Sequence, residues 1–332
     1  MKNAREAGLD RKNDHLRIAA ELGVEHRAGT NLETVRLRHR ALPERDLSSV
    51  GLETELLGRR LAAPLVISAM TGGTEEAATV NERLARGAAE LGVAMVLGSA
   101  RALLEDPKLL DTYRLGPRPP LLLGNLGAAQ VTPERAARVV ELLDADGLSI
   151  HLNPLQEAVQ PEGQPYFSGV LERIAATVEQ LAPVPVVVKE VGFGLDPDDV
   201  RALESTGVAA LDVAGSGGTN WALIEGRRDP RSRALAEAFA DWGVPTLRSL
   251  EAARTAAPDA TLLASGGLRD GVEVAKCLAL GARACGIARP LLLAARSDGV
   301  PEALGTVLQQ LRVATWLAGA PSTAALNESH LQ

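Results

Sequence analysis

Residues 65–97, LVISAMTGGTEEAATVNERLARGAAELGVAMVL, decide the fold class of this chain. An apolar run at 65–68 is followed by a charged, Ala-rich helical stretch at 75–91 and by a second apolar run at 93–97. Short apolar runs that alternate with amphipathic helical stretches are typical of βαβ units, in which the strands lie parallel and helices cover the sheet. The stretch therefore predicts an α/β protein.

The same rhythm continues along the chain. Further apolar runs, which bring the number of predicted strands to eight, lie at 121–124, 147–151, 186–190, 209–213, 261–265 and 284–288. Further helical stretches lie at 133–143, 169–181, 197–205 and 271–280. Thr132-Pro133 and Asp196-Pro197 each place a capping residue before a proline, which is a typical helix start. Eight such units over about 250 residues predict a closed (β/α)8 TIM barrel.

The remaining segments are predicted to pack on that barrel within one domain, 1–332. Residues 1–60 are charged and form a predicted N-terminal arm, with a helix over 10–22 and an exposed strand at 36–40. The gap at 221–248, between the sixth and seventh strands, predicts an insertion over the face that carries the active site.

Composition and charge exclude several classes of function. The net charge is −7 and aromatic residues make up 2% of the chain, which argues against a nucleic-acid-binding protein. No apolar run approaches the roughly 18 to 20 residues that span a bilayer. The charged start, Met1 to Glu6, predicts no signal peptide and therefore a cytoplasmic protein. Cys277 and Cys285 lie among apolar neighbours and are expected to be core thiols.

Several candidate ligand contacts follow the first three strands, where barrel enzymes carry their working residues. After the first strand, residues 68–73 (SAMTGG) suit either the close approach of a ligand or a tight turn. Ser99 and Arg101 after the second strand suit an anion, although a solvated arginine is an equal alternative. Asn125 after the third strand is a turn residue or a ligand contact.

The fourth strand carries the most informative cluster. His151 and Asn153 are two residues apart, so they face the same side of a strand, and Gln156 and Glu157 follow in the loop. Four polar groups at one barrel mouth are costly to bury without a task. This cluster therefore predicts a functional site.

Lys189, at the end of the fifth strand, stands in a run of valines where a lysine is rarely buried without a partner. It either forms a structural ion pair with Glu190 or Asp212 or faces an electron-rich ligand. Glycine-rich turns follow the seventh strand at Gly266-Gly267 and the eighth strand at 286–290. Turns at these two strands form the usual phosphate cradle of the fold, so the pattern predicts a phosphorylated ligand.

These motifs, in this order, resemble the type 2, flavin-dependent isopentenyl-diphosphate isomerases. The resemblance covers residues 11 to about 290, and its most specific part is the element at 151–163. The motifs that carry it are Arg11-Lys12-x-x-His15, 69–73 (AMTGG), Ser99-x-Arg101, His151-x-Asn153-x-x-Gln156-Glu157 with Pro161-Glu162-Gly163, Lys189-Glu190, 217–221 (GGTNW) and Gly266-Gly267.

The resemblance implies interconversion of isopentenyl and dimethylallyl diphosphate, with FMN used in its reduced form, NADPH as the reductant and Mg2+ on the diphosphate. It also implies a homo-oligomer, a tetramer or an octamer. Carried over by position, the FMN contacts are Ser68, Ala69, Met70, Thr71, Ser99, Asn125, Lys189, Thr219, Gly266, Gly267, Ala288 and Arg289.

By the same resemblance, the substrate contacts are Arg11, Lys12, Ser99, Arg101, His151, Asn153 and Gln156, and Glu157 binds Mg2+. The catalytic candidates are Lys189, His151 and Gln156, with Glu225 as a secondary acid or base. One position departs from the family pattern, because Ala214 stands where a serine often contacts the flavin. This departure weakens one FMN contact.

Two other functions fit the same barrel. An FMN-dependent 2-hydroxy-acid oxidase needs a histidine base near the turn after the sixth strand, but no histidine lies between His151 and His330. A non-catalytic FMN- or phosphate-binding barrel would be expected to lack the polar cluster of the fourth strand, which is intact here.

Overall fold

The computed structural model describes residues 4–21 and 23–332, with side chains described for residues 10–20 and 23–332. The arm begins with helix α1 (Ala4–Glu21) and ends with a hairpin of β1 (Thr54–Leu56) and β2 (Arg59–Leu61). The helix predicted over 10–22 is confirmed over 10–21 and starts six residues earlier, while residue 22 lies outside the described residues.

The exposed strand predicted at 36–40 is wrong. Leu37 forms only an isolated bridge with Leu331, and the N–H groups of Arg38 and Arg40 donate to backbone carbonyls of His330 and Leu317. The alternation of apolar and basic residues therefore reflects an extended segment laid along the carboxyl end of the chain, not a strand of a sheet.

The predicted (β/α)8 barrel is confirmed, since eight parallel strands pair in sequence order and the last pairs with the first. Each strand coincides with a predicted run, with ends shifted by up to three residues. The barrel strands are β3 (Leu65–Ile67), β4 (Ala94–Val96), β5 (Leu122–Gly127), β6 (Gly147–Leu152), β7 (Val186–Glu190), β8 (Ala210–Asp212), β9 (Leu262–Ala264) and β10 (Ala284–Ile287).

The helices alternate with these strands and cover the barrel. The predicted starts are confirmed, because Thr132 and Asp196 side chains accept backbone N–H groups of the helices that they precede. Among the described residues, no helix is both long and apolar enough to cross a bilayer. The helices after the arm are α2 (Glu75–Leu91), α3 (Arg101–Glu105), α4 (Pro133–Leu143), α5 (Pro154–Val159), α6 (Val170–Leu181), α7 (Pro197–Glu204), α8 (Trp221–Arg228), α9 (Arg233–Ala238), α10 (Thr246–Ala256), α11 (Gly271–Ala279), α12 (Arg289–Arg296) and α13 (Val300–Ala318).

Aliphatic side chains fill the barrel. The turn of the β1–β2 hairpin pushes Leu56 and Leu57 against the interior side chains Val66, Val96 and Leu263, which closes the amino-terminal end. Cys277 and Cys285 are fully buried free thiols in the layer between barrel and helices, as expected. The carboxyl end of the barrel is the end at which enzymes of this fold carry their sites.

The insertion predicted between the sixth and seventh strands is also confirmed. It consists of α8, a 3-10 turn (Pro230–Ser232) and α9, and it precedes α10. Helix α8 contacts both α1 of the arm and α5, which follows β6. The arm and the insertion therefore meet over the carboxyl end of the barrel.

Candidate active site

Three polar side chains lie side by side at the carboxyl ends of β6, β7 and β8. In the sheet register, His151 is paired with Lys189, and Lys189 is paired with Asp212. Because paired residues of parallel strands point to the same face, the three side chains share one side of the barrel wall. The structure thus brings the predicted candidates of two different strands together.

His151 is held by the strand beside it. Its Nδ1 lies 2.9 Å from Oδ1 of Asn125, on β5. Burial, together with the positive charge of Lys189, lowers the pKa of His151 to about 3. The imidazole is therefore neutral at pH 7, and Asn125 fixes its orientation.

The predicted Asn153, Gln156 and Glu157 form a second, buried group. Nδ2 of Asn153 donates to Oε1 of Gln156 at 3.1 Å and to Oε1 of Glu157 at 3.2 Å, and the N–H of Gln164 donates to Oε2 of Glu157 at 2.7 Å. A Cβ at Gly163 would lie 1.9 Å from the backbone oxygen of Glu157, so only glycine fits there. The Pro-Glu-Gly turn therefore packs against the backbone of Glu157, and the N–H of Gln164, which follows the turn, holds the carboxylate.

A metal ion at this group would depend on oxygen atoms beyond the protein carboxylates. Within the described residues, no three His, Cys, Asp or Glu side chains converge as a metal site. Oδ1 of Asn153 is nevertheless buried with no hydrogen-bond partner in that part of the chain, on the same amide group whose nitrogen contacts the Glu157 carboxylate. One carboxylate and one amide oxygen fit a Mg2+ ion that completes its shell with water and substrate oxygens.

Glu225, on α8, is the centre of the polar network, and its side chain is fully buried. Its Oε1 accepts from Nε2 of Gln156 at 3.0 Å and lies 2.9 Å from Nε2 of His15, and its Oε2 accepts from Nε of Arg228 at 2.8 Å. Burial raises the pKa of Glu225, but the contacts with His15, Gln156 and Arg228 outweigh it and bring the pKa to about 2. The group is therefore a carboxylate at pH 7.

Arg11 approaches the same network from α1. With the Gln160 amide turned so that its nitrogen faces Oε1 of Glu225 at 3.1 Å, its oxygen accepts from Nη1 of Arg11 at 3.0 Å. The Arg11 guanidinium is also 3.9 Å from Glu162, whose other oxygen accepts from Arg228 at 2.7 Å. Arg11 therefore lies at the edge of the mouth.

Lys12, the next residue of α1, points toward the loops after β3 and β4. Its ammonium donates to the backbone oxygens of Gly72 and Ser99 and to the hydroxyl of Tyr113. Burial, followed by the charge of Arg11, lowers its pKa to about 7. Neighbouring Arg101 turns instead to Glu105, 2.8 Å away, and is partly exposed.

Lys189 does not form either of the two ion pairs considered from the sequence. Its ammonium donates to the backbone oxygen of Glu190. The Glu190 carboxylate accepts N–H groups of the following loop, including that of Gly192 at 2.7 Å, and Asp212 accepts from Ser265 at 2.8 Å. Within the described residues no ion pair of Lys189 is formed, and the alternative that its ammonium faces an electron-rich ligand stays a prediction.

The glycine turns after β8 and β9 pack against each other. A Cβ at Gly218 would lie 2.5 Å from the backbone nitrogen of Gly267, and one at Gly266 would lie 2.0 Å from the oxygen of Gly215. Within residues 23–332, the N–H groups of Gly266, Gly267 and Leu268 donate to no protein acceptor. Free N–H groups in a left-handed glycine turn suit the phosphate of a nucleotide such as FMN.

The arm reaches the same turns. Glu25 bridges to Thr219 and accepts from Arg289 at 2.8 Å, and Arg289 also donates to the backbone oxygen of Ala19 at 2.7 Å. Ala288 precedes α12 as its N-cap residue. The predicted FMN contacts Thr219, Ala288 and Arg289 therefore lie beside the glycine turns and under the arm.

The remaining predicted FMN contacts follow β3. Ser68 and Thr71 are buried, and Ala69 and Met70 are partly exposed. Ala214 has a φ of 36°, so the position where the family often has serine is a turn with left-handed backbone that a small residue tolerates.

Sequence reasoning missed four residues of this site: His15 as a Glu225 partner, Gln160, Arg228 and Tyr113. His15 was part of the Arg-Lys-x-x-His motif, but nothing in its spacing pointed to a carboxylate 210 positions away. In the sequence, nothing distinguishes Tyr113 from an aromatic residue of the core. In the structure it is 1% exposed, and its hydroxyl contacts Lys12. His15 also packs edge-to-face on Trp221 of the predicted 217–221 motif, with ring centroids 5.4 Å apart.

Comparison with known proteins identifies the family. The chain is 46% identical to isopentenyl-diphosphate delta-isomerase from Stutzerimonas stutzeri over 97% of this chain and 96% of that protein. The corresponding protein of Xanthobacter autotrophicus is 48% identical over 95% of each chain. The chain belongs to the isopentenyl-diphosphate delta-isomerase family. The isopentenyl-diphosphate delta-isomerase of Methanothermobacter thermautotrophicus is 43% identical over 96% of this chain and 92% of its own length.

A family model relates the chain to FMN-dependent enzymes. The family model described as FMN-dependent dehydrogenase matches residues 10–106 and 156–332. Among solved structures, mandelate oxidase with (S)-2-phenylpropionate superposes with a TM-score of 0.67 at 21% identity, over 100% of this chain and 98% of that one. A likeness at that identity shows the barrel fold alone.

Proposed function

We propose that this chain interconverts isopentenyl diphosphate and dimethylallyl diphosphate, as a step of isoprenoid biosynthesis. The observation that carries the proposal is the 46% identity to a named isopentenyl-diphosphate delta-isomerase along nearly the whole of both chains. The polar network around Glu225 supports it, because it gathers Gln156, His15 and Arg228 at one mouth.

FMN fits the carboxyl end of this barrel. The free N–H groups of the turn at Gly266-Gly267, with Arg289 beside them, suit its phosphate. The other residues that would hold the cofactor are Ser68, Ala69, Met70, Thr71, Ser99, Asn125, Lys189, Thr219 and Ala288. When bound and reduced, FMN supplies an electron-rich ring that can exchange a proton with the substrate without net redox.

Lys189 is suited to stabilise negative charge at the cofactor. The residue is buried, with 8% of its surface exposed, and its ammonium forms no ion pair within the described residues. A cation in such surroundings acts strongly on a nearby anion because little water screens it. NADPH, the proposed reductant, would deliver its electrons to this site.

The diphosphate of the substrate needs several N–H donors. We propose that the cations Arg11, Lys12 and Arg101 supply them, together with Ser99, His151, Asn153 and Gln156. Neutral His151, held by Asn125, presents a hydrogen-bonding nitrogen without adding charge. We propose that Glu157, with Oδ1 of Asn153, holds the Mg2+ ion that neutralises the diphosphate.

The proton transfers require groups that hold or orient a proton near the alkene. The reaction adds a proton to the terminal carbon of the double bond and removes one from the CH2 group on its other side. Glu225 is a carboxylate at pH 7, so it is suited to hold Gln156 and His15 through the hydrogens that they donate to it. We propose that Gln156 and His15, held in this way, orient the substrate for the proton transfers.

We further propose that the chain is a single cytoplasmic domain that assembles as a tetramer or an octamer. The family resemblance is the basis of the proposed assembly. Size-exclusion chromatography with light scattering measures the assembly directly.

The test of the activity is proton NMR of isopentenyl diphosphate with the protein, FMN and Mg2+ under anaerobic conditions. Dimethylallyl methyl signals are expected only after reduction with NADPH or dithionite. Omission of Mg2+ and addition of a chelator test the metal separately. Reduced, bound flavin with no conversion would overturn the proposal.

A further inference from the structure

Two buried side chains of opposite charge point into the interior of the barrel. The aliphatic cluster of the interior includes Val187 on β7 and Ala210 on β8. Lys189 follows Val187 by two positions, and Asp212 stands in the same relation to Ala210. Because side chains two positions apart on a strand share a face, Lys189 and Asp212 face the interior as well. The two residues are also partners in the register of β7 and β8.

A small cavity lies inside the barrel at these two residues. It is lined by Lys189, Asp212 and Ser149, together with aliphatic side chains such as Val187 and Leu263. The space that the centre of a water molecule can occupy in it is about 10 Å3. A single water molecule needs roughly 10 to 15 Å3 of such space and between two and four polar partners. The cavity therefore has the size of one water molecule.

The Ser149 hydroxyl on the wall of this cavity lacks a partner in the protein. Ser149 is 1% exposed, and within the described residues its Oγ forms no hydrogen bond. A buried hydroxyl without a hydrogen bond is costly, and most such groups in folded proteins are paired with the protein or with ordered water. A molecule in the cavity would supply the missing bond.

Lys189 and Asp212 have unused hydrogen-bonding capacity as well. The ammonium has three N–H groups, and within the described residues one of them donates to the backbone oxygen of Glu190. The Asp212 carboxylate accepts from the Ser265 hydroxyl at 2.8 Å and from the N–H of Ala214 at 3.2 Å, although a carboxylate has about four acceptor sites. The two charges are thus neighbours that form no direct ion pair.

We propose that this cavity is a binding site for one water molecule, which accepts a hydrogen bond from Lys189, donates one to Asp212 and forms its third bond with the Ser149 hydroxyl. A water molecule has two hydrogens and two lone pairs, so it can make all three contacts at once. Ser149 and Asp212 are then positioning residues, which hold the Lys189 ammonium through the water. The third N–H of Lys189 is left for the ligand-binding end of the barrel.

The separation of the two charges by water has a consequence for the cofactor. A carboxylate in direct contact with the ammonium would cancel most of its charge, whereas a water molecule between them increases their distance and weakens this cancellation. Lys189 then acts more strongly on a nearby anion such as reduced FMN. This effect on FMN rests on the proposed function, whereas the water site itself does not.

The first experiment needs no substitution. In a high-resolution crystal structure of the full chain with FMN bound, we expect one water molecule at roughly 2.7 to 3.2 Å from Oγ of Ser149, Nζ of Lys189 and an oxygen of Asp212. A dry cavity, or direct contact between Lys189 and Asp212, would overturn the proposal. The chain without FMN should hold the same water, so a failure to bind FMN or to isomerise the substrate would count only against the proposed function.

The second experiment measures the ratio of the affinities for reduced and oxidised FMN, which a purely structural role of Ser149 would not change. Ser149→Ala removes one partner of the water and is expected to lower this ratio about fivefold, a factor that corresponds to one lost hydrogen bond. Ser205→Ala, at an exposed serine after α7, is the control and should leave the ratio unchanged. An unchanged ratio in Ser149→Ala would contradict the positioning role.

A double-mutant cycle tests whether one water connects Ser149 with Asp212. Asp212→Asn keeps the shape of the side chain and removes its charge. In the Asp212→Asn background, Ser149→Ala should lower the ratio by less than about twofold, because residues that share a partner do not contribute additively. An equal effect of Ser149→Ala in both backgrounds would refute a shared water. If either variant does not fold, the crystal structure of the unaltered protein decides.

Discussion

Replacement of Glu225 by glutamine tests whether this carboxylate holds the mouth together. The substitution keeps the shape of the side chain and removes its charge. Glu225 is fully buried and accepts from His15, Gln156 and Arg228. A glutamine presents an NH2 group to at least one of these donors, so the network loses both a charge and a correct hydrogen bond.

The size of the loss follows from the pKa. Glu225 has a pKa of about 2 in the folded protein against an ordinary value of 4.5. A difference of about 2.5 units corresponds to about 3 kcal/mol of stability at pH 7. Arg228 keeps a second partner in Glu162, which limits the additional cost of an unpaired cation.

Thermal unfolding measures this loss. For a chain of this length, about 3 kcal/mol lowers Tm by roughly 4 °C, since the entropy of unfolding is about 2.1 cal/mol/K per residue. Exposed Glu179→Gln is the matched control and should shift Tm by less than about 1 °C.

The stabilisation by the Glu225 carboxylate should depend on pH in a defined direction. Because the pKa is lower in the folded state, the stabilisation is present above pH 4.5 and is lost as the pH falls toward 2. The difference in unfolding free energy between the natural protein and Glu225→Gln should therefore shrink below pH 4.5. A constant difference, or a loss below about 1 kcal/mol at pH 7, would refute the assignment of Glu225 as the charged centre of the network.

Three further outcomes follow from the structure. Gly218→Ala forces a Cβ to 2.5 Å from the backbone nitrogen of Gly267, and we expect about 2 kcal/mol of strain. FMN binding, measured by fluorescence titration, should weaken at least about tenfold. Gly305→Ala is the control and should bind FMN normally, because the space around Gly305 is open. His151, with a pKa of about 3, should stay neutral in 15N NMR spectra from pH 8 to pH 5, and a titration midpoint near 6.5 would contradict its burial. Cys277 and Cys285 should not react with a thiol reagent in the native protein and should both react after unfolding, because both are fully buried.

The barrel could be predicted because its strands are buried on both faces. Such strands read as short apolar runs, and the run at 186–190 coincides with β7 at both ends. The apolar run at 93–97 is longer than β4, because Val93 and Leu97 are buried although they lie outside the hydrogen-bonded strand. The prediction of a strand at 36–40 was wrong because alternating apolar and polar residues indicate only that one face of the segment is covered. They do not indicate whether a sheet or another segment of the chain covers it.

The site could be predicted only where its residues share a strand end. His151 and Asn153 could be predicted to lie together because they belong to one strand and the loop after it. Their proximity to Lys189 could be predicted because the two strands are neighbours in the barrel. The partners of Glu225 could not be predicted in this way. His15 and Glu225 are 210 residues apart, and their contact depends on how the arm and the insertion cross the mouth.

The glycine motifs show most clearly where sequence reasoning ends. A glycine pair indicates that something approaches the backbone closely, but the pattern does not say what approaches. At Gly72 the approaching group is the Tyr113 ring, and at Gly217 it is the arm at Thr30. Part of the pattern that resembles a flavin barrel is therefore imposed by contacts within the chain. Residues such as Asn153, whose buried amide oxygen lacks a protein partner in the described chain, carry more information about a ligand than the glycines do.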